Sequence, residues 1–189
     1  MTSFLDVQPS TTEDRHYKIY SELQKCTKSL SISVQQRMSC SLLSDLAAHL
    51  MNNPSVFKIV SDLKEIQELN EKKWFRERQR LMTSHRELKN KMKEEQNDEM
   101  LTVKPHNVVL LTKKHEKDSE QLEKRLQAEL DDKDKKVLQE IDNLVAKQQT
   151  TLMSLGVPGF SISGQHDEIR AQMAILQLIE DVRHMIHMD

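Results

Sequence analysis

The chain has 189 residues, a formal net charge of −2, 31% charged and only 4% aromatic residues, with three Gly and four Pro. So little turn chemistry argues against a sheet protein, and so few large side chains argue against a wide globular core. The near-neutral balance gives no global reason to expect a nucleic acid, a membrane surface or an acidic substrate. Cys26 and Cys40, the only cysteines, lack metal-ligand or disulfide-framework spacing and fit buried thiols in a reducing compartment. Met1 to Gln8 has no signal-peptide pattern, and no stretch approaches the roughly 18 apolar residues of a membrane span. The expectation is a nuclear or cytoplasmic protein that is not secreted.

Residues 1–11 are expected to be a flexible N-terminus. Ser10 with Glu13 and Thr11 with Asp14 form overlapping capping-box spacings, so a helix should open here. N-terminal helices are expected over 12–53. The first should run to about Leu30, with Tyr20, Leu23, Thr27 and Leu30 on one face. A second carries Val34, Met38, Leu42, Leu43, Leu46 and Leu50 and stops at Asn52-Asn53-Pro54. There Asn53 suits an N-cap and Pro54 the first position of the next helix, since its ring has no N–H to lose.

Residues 54–155 contain no Gly and a single break, Lys104-Pro105-His106-Asn107. Pro disfavours helix in the residue before it and Asn107 suits a cap, so the pattern predicts two helices, each roughly 70 Å long at about 1.5 Å per residue, reversing near 104–107. In the second of them, positions 111, 115, 119, 122, 126, 130, 133, 137, 141, 144, 148, 152 and 155 advance in steps of four, four and three. A strict heptad carried backward would put Asp134, Glu123 and Glu120 in the seam, whereas the eleven-residue repeat keeps Leu122, Leu126 and Leu130 there. That period predicts a nearly straight or slightly right-handed supercoil. The first long helix follows less cleanly through Ile59, Leu63, Ile66, Asn70, Trp74, Glu77, Leu81, His85, Leu88 and Met92. Isolated helices are marginal in water, so these stripes must find partners.

Residues 156–165 form a connector in which Gly156 ends the helix. A C-terminal helix over 166–189 follows, with Ile169, Met173, Leu176, Ile179, Val182 and Ile186 as its apolar positions. The expected fold class is all-α: a long antiparallel coiled-coil hairpin with a small helical head formed by the N- and C-terminal helices.

Several segments resemble the family of the gonadal protein and the vertebrate DiGeorge-syndrome critical region proteins. They are Arg15-His16-Tyr17, Gln35-Gln36-Arg37-Met38-Ser39, Leu43-Ser44-Asp45-Leu46-Ala47, Val56-Phe57-Lys58-Ile59-Val60, Glu65-Ile66-Gln67, Pro105-His106-Asn107, Gln148-Gln149-Thr150-Thr151-Leu152, Gly156-Val157-Pro158-Gly159-Phe160 and Gln172-Met173. They span nearly the whole chain in order, and the loop matches weigh most because heptad-like patterns recur by chance. The resemblance implies a small coiled-coil protein with no assigned enzymatic activity, catalytic residue or cofactor. It further implies a largely nuclear location, a laminin-like similarity, and links to cell migration and germline expression.

Candidate chemistry is sparse. Lys72 to Lys93 holds nine Lys or Arg and two Glu, with Trp74 and Phe75 near one end, so nucleic-acid binding is the alternative function. Folding the hairpin sets this stretch beside Glu116 to Val137, which compensates part of the excess. Glu180, His184 and His187 share one face of the last helix, a pattern that suits a metal or, more simply, histidine near a helix C-terminus. His85 and His115 occupy seam positions, as register-fixing polar residues or as pH-sensitive contacts. No phosphate loop, nucleophile elbow or metalloprotease motif is present, so no catalytic, cofactor or metal site is expected. At the reversal Met100, Leu101, Val103, Val108, Val109, Leu110 and Leu111 form either a plain tip core or a partner-binding patch. Met100, Leu101, Val108, Leu110, Leu111, Trp74 and Phe75 are the candidate partner-binding residues of an adaptor that presents helical surfaces to protein partners, with a homodimer among the possibilities.

Overall fold

The computed structural model describes residues 12–186. Every regular element among them is helical: α1 (Thr12–Thr27), α2 (Ile32–Gln35), α3 (Cys40–Asn52), α4 (Ser55–Thr102), a 3₁₀ turn at Pro105–Asn107, α5 (Val108–Ser154) and α6 (His166–Ile186). The capping boxes at Ser10 and Thr11, the flexible N-terminus and the side chains of Ile186 and His187 lie outside the described residues. The described fold divides into two compact units, one of residues up to Ile66 together with those from Leu144 on, the other Gln67–Asn143.

In the first unit α1 packs against α3 and α6, and α2 against α6. Ile19, Leu23 and Cys26 of α1 meet Leu43, Leu46 and Leu50 of α3, Val56 and Val60 from the start of α4, and Ile175, Leu178, Ile179 and Val182 of α6 in one core. Each fully buried aliphatic side chain is worth about 1.5–3 kcal/mol, which holds helices too short to persist alone.

Three sequence expectations are corrected here. The second N-terminal helix is two helices, because Ser39 takes an extended backbone and its Oγ accepts from the Leu42 N–H at 3.1 Å, capping α3. Asn53 does not cap α4: its N–H and its Nδ2 both donate to His49 O, at 2.9 and 3.1 Å, so it finishes α3 instead. The buried face of α6 holds Ile179 and Val182 as expected, but it takes Gln172 in place of the predicted Met173. Met173 is exposed while Gln172 is buried, because Gln172 Nε2 donates to Ser161 O at 2.8 Å and its Oε1 accepts from Gln149 Nε2 at 3.0 Å.

Gln149 also ties down the connector, donating to Ser163 O at 2.9 Å and accepting from the Ser163 N–H at 3.2 Å. Buried amides are tolerated when they are bonded in this way. Gly156 ends α5 in a left-handed conformation, φ 72°. Gly156 N–H donates to Met153 O and Val157 N–H to Leu152 O, the paired bonds of a Schellman closure, with Val157 and Leu152 both buried.

The second unit is an antiparallel helical hairpin built from α4 and α5. Lys104, extended at φ −71° and ψ 142° as the residue before a proline should be, leads into the 3₁₀ turn. Asn107 lies inside that turn, its N–H donating to Lys104 O. In α5 the eleven-residue stripe faces α4: Leu126 is fully buried and Leu111, His115, Leu122, Leu130, Lys133, Val137 and Ile141 are half-buried, with Ser119 exposed. In α4 the stripe steps from Leu63 to Gln67, Asn70 and Trp74, leaving Ile66 exposed, and Lys89 is half-buried where Leu88 was expected.

Candidate protein-interaction surface

The hairpin seam is crossed by polar rungs wherever its apolar stripe is interrupted. Trp74 Nε1–H donates to Glu140 Oε2 at 2.5 Å. Arg78 grips Asp134 through two bonds of 2.9 and 3.1 Å, and Lys133 reaches Glu77. His85 Nε2 lies 3.0 Å from Glu129 Oε2, and Lys89 Nζ donates to Glu123 at 2.8 Å. Near the turn Gln96 donates to His115 O and Ser119 Oγ, while His115 Nε2 lies 2.8 Å from Glu99 Oε2. Every rung is centred near residue 106, so these polar residues fix one register, as polar seam residues do in coiled coils. Hydrogen bonds from Arg78, Lys133 and His115 hold the Asp134, Glu77 and Glu99 carboxyls below their ordinary pKa values.

The candidate residues fall into two separate places. At the turn, Leu101 is 84%, Leu110 69% and Val109 64% exposed, Met100 is at the edge, and Val108 and Leu111 are half-buried. Trp74 and Phe75 sit more than six helical turns away. Trp74 is 7% exposed and closes the seam, whereas its neighbour Phe75 is 64% exposed. The sequence reading missed Leu138, which is 60% exposed although it lies beside the α5 stripe. Its signal is positional: the hairpin register sets it level with Phe75.

Other candidate chemistry is taken up by structure. Cys26 is buried but Cys40 is exposed, correcting the expectation of two buried thiols. Burial pushes the Cys26 thiol up, reinforced by Asp181 and Glu22, which disfavours the nucleophilic thiolate. Glu180 is buried and accepts from Arg183 Nη2 at 3.2 Å, with His184 Nε2 at 3.8 Å. Among the described residues no group of three or more His, Cys, Asp or Glu side chains is placed to hold a metal ion. Within the basic stretch, carboxylates hold Lys72, Arg78, Lys89 and Lys91. No helix among the described residues is long and apolar enough to cross a membrane.

The family model described as DiGeorge syndrome critical region 6 (DGCR6) protein matches residues 6–187. The chain belongs to this family. It is 38% identical over 174 residues to Protein DGCR6 of Gallus gallus, covering 92% of this chain and 86% of the relative. It is 30% identical over 182 residues to Gonadal protein gdl of Drosophila melanogaster, covering 93% and 84%. No solved structure matches. The DGCR6 family is not a known enzyme family.

Proposed function

We propose that this DGCR6-family chain is a non-enzymatic coiled-coil adaptor whose hairpin tip takes an amphipathic helix of a protein partner. The observation that carries the reading is a contrast inside one unit. Polar rungs close the seam, yet Leu101, Val109 and Leu110 stay exposed where the chain reverses. Clustered exposed apolar groups of this kind mark interaction sites. Their setting suits a helix: Leu101 follows Asp98 by three residues and Glu94 by seven, and Leu110 precedes Lys113 by three and Lys117 by seven, so each apolar contact is flanked by charge of one sign. The resemblance to gonadal and DiGeorge-region proteins suggests germline development or cell migration as the setting.

Proximity labelling of the tagged full chain in cells that express it, beside a Leu101→Glu/Leu110→Glu variant, tests the proposal. The expected result is loss of a defined set of protein neighbours with helicity and melting unchanged. Neighbours that are identical in both samples sink it. The alternative, nucleic-acid binding through 72–93, demands an oligonucleotide shift at low salt that collapses as salt rises and on changing Arg76, Arg78 and Arg80 to Glu.

A further inference from the structure

We infer that one side of the hairpin unit is a docking face for a second copy of this chain, laid alongside with both turns pointing the same way. The inference deepens the adaptor reading by naming a partner, but it uses none of the tip residues. The Arg78–Asp134 rung marks the side: Arg78 reaches the carboxylate with two nitrogens, and its Nη1 also lies 3.2 Å from Met82 Sδ. Phe75 precedes Arg78 by three residues, Met82 follows it by four and Leu138 follows Asp134 by four. Residues three or four apart share a helix face, so Phe75, Met82 and Leu138 stand on this side. All three are exposed, Phe75 and Leu138 by 64% and 60%. The Trp74–Glu140 and Arg78–Asp134 rungs bracket Phe75 and Leu138, which therefore stand at one level.

Self-docking of a face is closed by a two-fold axis, and two orientations of that axis keep the helices of the two copies aligned along their length. An axis along the helices lays α4 over α5 of the second copy at equal heights, so each Phe75 meets the other copy's Leu138. An axis across the helices lays α4 over α4 and α5 over α5. Charge chooses between them. The Lys89–Glu123 rung continues the same side toward the turn, where α4 adds Lys93 and α5 adds Glu120. The α4 edge is thus basic and the α5 edge acidic, so the first orientation pairs opposite charges and the second pairs like ones. Glu120, bonded to Lys124 within its own helix, comes level with Lys93 of the second copy. The product is a parallel pair of hairpins packed as a four-helix bundle.

Light scattering on the full chain at micromolar concentration should give twice the 22.1 kDa mass of one chain. Phe75→Glu and Leu138→Glu should each give the mass of one chain with helical circular dichroism retained. Lys93→Glu should weaken dimerisation about tenfold, and adding Glu120→Lys should restore it. Leu101→Glu and Leu110→Glu should leave the dimer intact, so failure here and failure of the tip reading are distinguishable. A wild-type mass other than two chains, a dimer that survives Phe75→Glu and Leu138→Glu together, or a charge swap that does not restore the dimer overturns the inference.

Discussion

Replacing Gly159 by alanine should cost more than replacing Gly156, although the two lie three residues apart and both have left-handed backbone, φ 84° and 72°. At Gly156 a Cβ meets only His49 Cε1, at 3.7 Å, an ordinary contact. The cost there is backbone strain alone, about 1–2 kcal/mol. At Gly159 the new Cβ falls 2.5 Å from Ile175 Cδ1 and 3.3 Å from Leu42 Cδ1. Ile175 is buried in the core, where its methyl has little room to turn. Overpacking adds about 1–3 kcal/mol, so Gly159→Ala should cost about 2–5 kcal/mol in all. Ile175→Val deletes the nearer clashing methyl, so against the Ile175→Val background the overpacking part should shrink to what the Leu42 Cδ1 contact at 3.3 Å still demands. Thiol labelling is the assay: Cys40 is exposed and reacts at once, while Cys26 is buried and reacts when the core opens. Urea dependence of the slow phase gives the free energy of opening. If Gly159→Ala proves no costlier than Gly156→Ala, or if Ile175→Val brings no relief, the steric reasoning is wrong.

Leu126→Ala should destabilise the hairpin unit by about 2–5 kcal/mol, whereas Lys89→Ala, which breaks a solvent-facing ion pair, should cost under about 1 kcal/mol; urea melts followed by Trp74 fluorescence compare them, and equal losses would falsify the view that the apolar seam outweighs the rungs. Gln149→Leu strands the Ser163 N–H and carbonyl and the Gln172 amide, and should cost about 2–4 kcal/mol and expose the connector to limited proteolysis. The depressed carboxyls of Glu77, Glu99 and Asp134 contribute stability that is complete above their unfolded values of 4.5 and 3.8 and is lost as pH falls through their folded values. Acid titration of Trp74 emission should therefore show a transition that starts only below those values, and one centred near neutrality contradicts the assignment.

The seam of α5 was legible in the sequence because its four-four-three spacing leaves one set of positions able to face a partner helix, and Leu122, Leu126 and Leu130 lie there. The seam of α4 was less so: the spacing placed Asn70 and Glu77 in it, but Gln67 and Lys89 stand where Ile66 and Leu88 were expected, because hydrophobicity does not register their polar contacts. The same blindness misplaced one position of α6, whose Ile179 and Val182 are buried as expected: Met173 is the more apolar residue, but Gln172 is the one with bonding partners inside. The Ser39 break in the N-terminal helices went unseen because Val34, Met38 and Leu42 continue a helical spacing across it and are at least half-buried despite it. At the candidate surface, sequence identified the apolar positions of the turn but not which would stay outside. That depends on how tightly the 3₁₀ turn closes. Trp74 and Phe75 are adjacent and similar in character, and only the register with Glu140 buries one and exposes the other.

Of the segments by which the sequence resembles the DGCR6 family, those that the structure explains are fasteners. Gln149 and Gln172 hold the connector, Gly156 and Gly159 supply left-handed turns, and Pro105-His106-Asn107 reverses the hairpin. Each acts by satisfying backbone groups or clearing space, so what they specify is the fold. On the adaptor reading proposed above, selectivity would instead lie on side chains the fold leaves outside, such as Leu101, Leu110, Phe75 and Leu138. Two classes of variant should therefore separate cleanly. Changes at the fasteners lower stability and lose partners only as the fold is lost, while changes at the exposed apolar residues alter association with melting unchanged.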